Sequence, residues 1–330
     1  MNGRGKLAQW PVRCIGVDDW PEVRRLFGDV FGHEFAPAFQ HWKYGDGRGV
    51  GMGVWDADGL LVGHYGGGIR PVAAGAQQVV AVQMQDVMVA PSARDVLARM
   101  GPFGRMTRAA MHDWFAPGQS GVWGFGFPSA RHLQLGQRLG LYHALDVVQA
   151  WSWPVVHGGG VSALEVQALD WWDAGQLRRV SDLARDVAPS ALGWLAGVRG
   201  VDWWRHRYAN HPEHQHGCWW IRRRGTESVA LVVVRMVSPT DWEILDWLAM
   251  PDPLLDWQSA LLALAQEQGV EALSVWCTPV VAASWPEGWR QLGVCTPACE
   301  LAVTHDVIFG QPVSNWKGRV WMTGGDTDFR

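Results

Sequence analysis

Hydrophobic and polar positions along the chain follow two spacings that alternate from segment to segment. In residues 18–32 apolar side chains recur at helical spacing behind an acidic residue and Pro21, which predicts a helix. Residues 50–68 form two β-rich runs around Asp58-Gly59, and residues 77–89 alternate between apolar and polar, so a hairpin and a long strand are expected next. Residues 105–115 return to the helical spacing.

The pattern continues with a short strand over 121–128, which ends at Pro128. Residues 129–141 begin at a capping serine and end at Gly140, which predicts a helix. A further strand is expected over 142–153, and a glycine-rich linker over 154–162 follows it.

The same order of elements then recurs in the second half of the chain. Residues 203–212 resemble residues 40–47 in having aromatic residues, a basic residue, a tyrosine and a turn. A hairpin over 218–234, a strand over 242–250 and a helix over 252–269 come next, and 273–294 resembles 121–141. This internal repeat predicts mixed α/β domains at 10–153 and 163–310, between a frayed segment at 1–9 and a tail at 311–330 that packs on the body.

Composition narrows the class of partner. The net charge of −4 leaves no excess of basic residues to neutralise phosphates, which argues against nucleic acid as a partner. No run of 18 apolar residues is present, so no membrane span is expected. The five scattered cysteines and the polar first residues favour a reduced, cytoplasmic setting. The 23 tryptophans fit either large cores or aromatic-lined clefts.

Residues 86–104, "DVMVAPSARDVLARMGPFG", carry the clearest candidate chemistry. A strand ends at a proline, a stretch with arginines follows, and glycines bracket the start of a helix. Helix N-termini preceded by glycines bind phosphates, because backbone N–H groups and the helix dipole point at the anion. An ordinary connection from strand to helix is the alternative interpretation.

These segments resemble the GNAT acyltransferase family. "DVMV" followed by "PSAR" is similar to the family's fourth strand and the start of its coenzyme loop, and "GFPSARHLQLGQRLGL" at 126–141 is similar to its fifth strand and next helix. The two-domain arrangement also resembles the Eis-like acetyltransferases. The resemblance implies an α/β protein of two tandem GNAT-like domains, each a mixed, mostly antiparallel sheet flanked by helices.

The resemblance further implies acetyl-CoA as co-substrate and no metal. The coenzyme would contact the strand backbone, the arginines, the glycine-bracketed helix start and the next helix cap, which are Val87, Met88, Val89, Arg94, Arg99, Gly101, Phe103, Gly104, Arg105 and Ser129. After Arg94 the family has Gly-x-Gly, whereas this chain has Asp95-Val96-Leu97. Either the cradle is rebuilt at "RMGPFG" or the site is inactive, and the glycines at the helix start favour the rebuilt cradle.

The second repeat lacks these features. Pro253 removes an N–H from the expected helix start, and the acidic Asp252 lies where phosphate would bind. We therefore expect no coenzyme there, and a domain that supports the first one or walls its acceptor pocket.

Acyl transfer needs a base for the acceptor and an acid for the leaving thiolate. The family's usual tyrosine acid falls here at Gly136, so Tyr142, nearby in sequence, is the candidate acid. Asp86 and His64 are candidate bases, with a strand-end hydrogen bond and a satisfied sheet histidine as the respective alternatives. The acceptor is expected beside Glu34, Tyr44, Tyr65 and Trp123.

Two further features have plainer interpretations. "HPEHQHGC" at 211–218 offers three histidines and a cysteine, but its spacing matches no closed zinc pattern, so a surface loop is favoured. The tail contains Trp316 and Trp321, which favour docking as a structural strap. By resemblance to Eis-like proteins alone, Asp326, Asp328 or the carboxylate of Arg330 would instead approach the first domain's cleft.

Together these observations predict an enzyme that moves an acetyl or other acyl group from acetyl-CoA to an amine or hydroxyl of a small-molecule or peptide acceptor. The alternatives are an inactive GNAT-like binding protein with a ligand cleft between its domains and a Fem-like aminoacyl transferase. The acidic net charge disfavours the last, because it would have to bind tRNA. The sequence does not indicate an oligomeric state.

Overall fold

The computed structural model describes residues 10–94, 101–155, 164–223, 229–249, 257–283, 290–291 and 299–327. Within these described ranges the chain divides into two compact units, and each unit is built from separate segments of the sequence. The first comprises Met1–Pro71, Val79–Ala144 and Leu301–Val313, and the second Val72–Gln78, Leu145–Glu300 and Ser314–Arg330. The domain boundaries expected from the sequence, and most of the linker at 154–162, stay predictions.

Strands and helices alternate through the first half of the chain. In order they are β1 (Val12–Cys14), α1 (Trp20–Phe31), α2 (Pro37–Tyr44), β2 (Gly49–Trp55), β3 (Leu61–Ala74), β4 (Gln77–Val89), α3 (Pro102–Trp114), β5 (Gly124–Gly126), α4 (Ala130–Arg138) and β6 (His143–Pro154).

The second half of the chain has a similar alternation, followed by short strands. In order they are β7 (Leu164–Ala168), α5 (Ala174–Asp186), β8 (Leu195–Gly197), α6 (Val201–Trp204), β9 (His216–Arg223), β10 (Val229–Ser238), β11 (Asp241–Ala249), α7 (Trp257–Glu267), β12 (Ala272–Cys277), α8 (Pro279–Ala282), β13 (Arg290–Gln291), β14 (Cys299–Val303), β15 (Val307–Ile308), β16 (Gln311–Pro312) and β17 (Val320–Trp321).

The sheet of the first unit runs β1-β2-β3-β4-β5-β14. β1 with β2, β2 with β3 and β5 with β14 pair antiparallel, whereas β4 and β5 run parallel. One face packs on α1 through Val23 and Leu26, and the other packs on α3 through Met106 and Ala110. The sheet therefore separates two apolar layers, and side chains of successive strand residues enter opposite layers.

The elements predicted for this unit are confirmed, with shifted ends. The helix expected over 18–32 is α1, and Gly32 terminates it in the left-handed conformation at φ +78°. Gly59 has φ +82° in the turn of the predicted hairpin. The helix expected from residue 105 begins three residues earlier, at Pro102, so the Gly-Pro-Phe-Gly segment forms its cap and first turn.

The sheet of the second unit runs β6-β12-β11-β10-β9-β7. Its neighbours pair antiparallel except β11 and β12, which are parallel. One face packs on α7 through Leu261 and the other on α5 through Val180. Each unit thus has a mixed, mostly antiparallel sheet flanked by helices, as expected from the sequence.

The C-terminal tail is part of the second unit. Val320 and Trp321 pair with Leu195 and Ala196, and the hydroxyl of Thr278 donates to the carbonyl oxygen of Val320. The carboxylate of Asp326 is buried against Arg199 of the same unit. Asp326 therefore does not approach the first domain's cleft, although the resemblance to Eis-like proteins implied that it would. Asp328 and Arg330 lie outside the described residues.

The histidine-rich segment forms a turn that leads into β9. The Nδ1 atom of His211 accepts the backbone N–H groups of Glu213 and His214, which identifies this nitrogen as an unprotonated acceptor. His216 Nδ1 lies 3.2 Å from the carbonyl oxygen of Tyr208. No group of three or more metal-binding side chains with suitable geometry occurs in the described ranges. No helix within them is both long and apolar enough to cross a membrane.

These histidines predict an acid-sensitive fold. Burial, with nearby Arg207, lowers the pKa of His211 to about 3 and that of His216 to about 4, against 6.5 for an exposed histidine. Between pH 6.5 and 4 these histidines are therefore protonated in the unfolded chain but not in the folded one. The free energy of unfolding is highest above pH 6.5 and decreases as the pH falls towards 4. Urea unfolding between pH 4 and 7 should show uptake approaching about two protons on unfolding. Changing both to asparagine should flatten this dependence, and an unchanged slope would contradict the assignment.

Candidate active site

The first unit has a defined point at which strands β4 and β5 part. Their parallel pairing covers Val82–Gly124, Gln83–Phe125 and Met84–Gly126, and it ends there. Two residues beyond Met84, Asp86 has φ +46°, a backbone conformation that L-residues other than Asn and Asp rarely adopt. The strand is kinked at this residue, and such strained positions cluster at functional sites.

The carboxylate of Asp86 is held by two neighbouring residues of α2. Lys43 Nζ donates to one oxygen at 2.7 Å, and the Tyr44 hydroxyl donates to the other at 2.6 Å. The side chains of Lys43 and Asp86 are only 3% and 7% exposed, so the ion pair is shielded from water. A buried pair of this kind fixes its partners firmly, because neither charge can be left there alone without a large cost.

His64 lies next to this pair and is fully buried. Its Nδ1 atom is 2.9 Å from the backbone carbonyl oxygen of Asp86. A carbonyl oxygen only accepts, so Nδ1 carries the proton and Nε2 presents a lone pair. Nε2 has no hydrogen-bond partner among the described residues. Burial lowers the pKa of the ring, so His64 is neutral at physiological pH and has an available basic nitrogen.

A cavity of about 310 Å³ lies beside this histidine. The rings of Tyr44 and Trp20, which both line the cavity, are centred 6.0 and 6.2 Å from the His64 ring. A Cβ atom at Gly51, another lining residue, would lie 3.1 Å from His64 Nε2. Glycine at this position therefore leaves room for the buried Nε2 atom, and Gly51 rather than His64 itself lines the cavity.

The lining of the cavity includes an acidic group. Asp113, near the end of α3, and Cys14, at the end of β1, both line it, and the thiol donates to the carboxylate at 3.1 Å. Burial, followed by the hydrogen bond to Asp113, raises the pKa of Cys14 to about 11, so the thiol stays protonated. The cavity thus combines aromatic walls with one carboxylate, which is a suitable environment for a cationic group.

Tyr142 lies on the opposite face of the sheet, just before β6. Its hydroxyl is 2.6 Å from that of Tyr65, and both side chains are buried. Burial raises the pKa of each phenol, so both are protonated at neutral pH. A Cβ atom at Gly136 would lie 1.9 Å from Cδ2 of Tyr142. The ring of Tyr142 therefore occupies the space that a side chain at position 136 would need.

The start of α3 presents the predicted coenzyme cradle. Gly101 caps the helix, Pro102 is its first residue, and Arg105 is exposed in its first turn. The N–H groups of Phe103 and Gly104 belong to the first turn, which has no intrahelical acceptors for them. Pro102 removes one backbone N–H from this helix start, just as Pro253 would in the second repeat. A proline at the helix start therefore does not distinguish the first repeat from the second as a coenzyme site. Arg99, Asp252 and Pro253 lie outside the described residues.

The other predicted coenzyme contacts are partly engaged by the protein. Arg94 Nε donates to the carbonyl oxygen of Val89 at 3.0 Å, so this strand oxygen already has a partner. The side chain of Met88 is buried under α1, whereas Val87 is only partly buried. The hydroxyl of Ser129 caps α4 by accepting the N–H of His132.

The structure brings some of the predicted acceptor and catalytic residues together and separates others. Tyr44, His64 and Asp86 form one cluster. Tyr65 points to the opposite face, and Glu34 is exposed in the loop between α1 and α2. Trp123 is buried before β5, in aromatic contact with Phe125 and Phe309.

Lys43 is the functional candidate that sequence reasoning missed. Its signal was present, because the basic-Tyr pair Lys43-Tyr44 recurs in the second repeat as Arg207-Tyr208. The repeat drew attention to the segment that contains Lys43, but it did not indicate that Lys43 contacts Asp86 on β4.

Comparison with known proteins agrees with this architecture. Residues 11–136 match the family model described as acetyltransferase (GNAT) domain. A probable N-acyltransferase from Enterococcus faecalis has a similar structure, with a TM-score of 0.69, 11% identity and coverage of 89% of this chain and 72% of that one. A GCN5-related N-acetyltransferase from Kribbella flavida gives a TM-score of 0.62 at 15% identity, with 89% and 71% covered.

Eis1 from Mycobacterium abscessus is also similar, with a TM-score of 0.55, 11% identity, and coverage of 89% of this chain and 73% of that one. No curated protein matches the chain in sequence. At these identities the structural matches establish the fold, and residues 11–136 are similar to the acetyltransferase (GNAT) domain.

Proposed function

We propose, from the match of residues 11–136 to the acetyltransferase (GNAT) domain model, that the first unit transfers an acetyl or other acyl group from its coenzyme A thioester to an amine or hydroxyl. The acceptor is a small molecule or a peptide. The observation that carries the proposal is the parting of β4 and β5 after Met84, with the kinked Asp86 at the opening and the N-terminus of α3 following in the chain.

The donor would enter this opening. Separated parallel strands expose backbone N–H and C=O groups that suit the amides of pantetheine, and the first turn of α3 offers N–H groups and a positive dipole end to the pyrophosphate. Arg105, exposed in that turn, adds a charged donor. The glycines at the start of α3 would thus still allow the pyrophosphate to approach the backbone closely.

The protein groups around the opening supply proton transfer. His64 Nε2, neutral and without a partner among the described residues, takes the proton of the acceptor as its nitrogen or oxygen forms a bond to the thioester carbon. The carbon–sulfur bond then breaks and the leaving thiolate takes a proton, for which Tyr142, on the opposite face of the sheet, stays the candidate acid predicted from the sequence. The backbone carbonyl oxygen of Asp86 orients His64, and the Asp86 carboxylate, which accepts from Lys43 and Tyr44, holds the kinked strand in place.

The cavity beside His64 would hold the acceptor. Its aromatic walls at Trp20 and Tyr44 and the carboxylate of Asp113 favour an acceptor that carries an amine. An amine that is bound as a cation first releases one proton to solvent, and His64 takes the second as the bond to the thioester carbon forms.

Acetyl-CoA should raise the melting temperature of the protein, because a ligand that binds only the folded state stabilises it. At 100 times the dissociation constant the gain is about 2.7 kcal/mol. Arg105→Glu should reduce the shift strongly, and Arg105→Lys should retain most of it. Differential scanning fluorimetry measures each shift.

The matched control is Arg178→Glu, which makes the same charge change at an exposed position of α5 in the second unit. Its shift should equal that of the unmodified protein. If millimolar acetyl-CoA gives no shift in any of these proteins, the proposed function is wrong.

A further inference from the structure

The tyrosine–aspartate pair of the first unit recurs in the second. Tyr208 donates to Asp246 at 3.2 Å, as Tyr44 does to Asp86. In the second unit the parallel pairing of β11 with β12 ends at Ile244–Val275, again two residues before the aspartate. The two units therefore open their parallel strand pairs at equivalent points.

The opening in the second unit contains the chain's own tail. Cys277, at the end of β12, pairs with Gln149 of β6 on one side, and on its other side it forms an antiparallel bridge with Thr323. Thr278 N–H donates to the carbonyl oxygen of Met322, and the N–H of Met322 donates back to the Thr278 hydroxyl. The tail thus forms backbone hydrogen bonds along the edge of β12 where β11 no longer pairs with it.

Charged groups hold the tail on the side of β11. Arg199 bonds both Asp246 and the tail residue Asp326, and Arg207 donates to the carbonyl oxygens of Gly325 and Thr327. These four charged side chains are no more than 4% exposed. Two cations and two anions balance, so the tail supplies a charge that the buried cluster needs.

Contact at Gly325 is close enough to select glycine. A Cβ atom there would lie 2.0 Å from the Tyr208 hydroxyl oxygen and 3.0 Å from the carbonyl oxygen of Leu245. At the neighbouring Gly324 the nearest atom would be 3.6 Å away, an ordinary contact.

We propose that residues 322–327 are the resident ligand of the second unit's strand opening, where they occupy the position equivalent to the acyl-donor site of the first unit. The equivalence with a donor site rests on the proposed function, whereas the docking of the tail does not. The tail thereby blocks the strand opening of the second unit to an acyl-CoA, and the protein binds one acyl-CoA per chain.

Gly325→Ala, compared with Gly324→Ala, tests the docking. Hydrogen exchange followed by mass spectrometry should show that amides of 320–327 exchange at least about 100-fold faster in the first variant and are unchanged in the second. Equal exchange in both variants would overturn the proposal.

A milder variant covers the case in which Gly325→Ala unfolds the second unit. Thr327→Ala removes the hydroxyl that donates to the Gly324 carbonyl oxygen at 2.7 Å. Exchange should rise in 320–327 while β9, β10 and β11 keep their protection, and a rise spread over all these strands, or none at all, would contradict tail docking.

Acetyl-CoA titrated by calorimetry into the unmodified protein should give a stoichiometry of one. A value of two would overturn the closed second opening. A value of zero would remove the proposed function and the donor equivalence with it, but the exchange result at Gly325 would still decide whether the tail is docked.

Discussion

Asp86→Asn is expected to destabilise the first unit and to abolish acyl transfer. Lys43 is buried beside this carboxylate at 2.7 Å, and removing one charge of a buried pair costs about 3–5 kcal/mol. Asparagine tolerates the positive φ at this position, so the strand kink is retained and the change tests charge alone. Urea unfolding measures the loss of stability, and thioester cleavage measures the activity.

A double variant separates the two effects. Lys43→Met combined with Asp86→Asn removes both charges, and replacing a buried ion pair by groups of similar size is often neutral. Stability should return to nearly that of the unmodified protein while activity stays low, because the carboxylate that holds the backbone of Asp86 in place beside His64 is still absent. If the double variant is as unstable as Asp86→Asn, the two charges are not coupled as the geometry indicates.

Gly136→Ala is expected to destabilise the first unit through a single methyl group. The new carbon would lie 1.9 Å from Cδ2 of Tyr142 and 2.6 Å from two further ring atoms, so the ring must move. Overpacking of this kind costs about 1–3 kcal/mol, and the hydroxyl bond to Tyr65 is disturbed with it. Unfolding by denaturant and the near-ultraviolet signal of the tyrosines report the two consequences.

The matched control is Gly28→Ala in α1. A Cβ atom there would be 3.8 Å from its nearest neighbour, and alanine is favoured over glycine within helices by about 0.5–1 kcal/mol. The same substitution should therefore stabilise the protein at one site and destabilise it at the other. A destabilising effect of equal size at both sites would contradict the role assigned to Tyr142.

The sequence predicted those parts of the fold that depend on local pattern. Periodicity located α1, β4 and the hairpin at Gly59, and the internal repeat indicated a tandem architecture. It also placed Tyr44, His64 and Asp86 among the candidates, and these residues lie together. His64 and Asp86 lie on strands that the pattern predicted, whereas the helix α2 that carries Tyr44 was not predicted.

What the sequence did not predict depends on contacts between distant segments. Residues 301–303 of β14 belong to the first unit, and Ala302 pairs with Gly126 although about half the chain separates them. Tyr65 and His64 are adjacent in sequence, but a strand turns them to opposite faces, so only one can meet Asp86. The docking of the tail on β12 likewise has no local signal, because it depends on where β11 and β12 part.

The discontinuity of both units has a consequence for synthesis. Chains emerge from the ribosome N-terminus first, and domains fold as units once their residues are available. The first unit needs Leu301–Val313 for its last strand, and the second needs residues 322–327 to balance Arg199 and Arg207. Neither unit can therefore complete its fold before these segments are synthesised, and a chain that stops before residue 301 would contain two incomplete units rather than one intact domain.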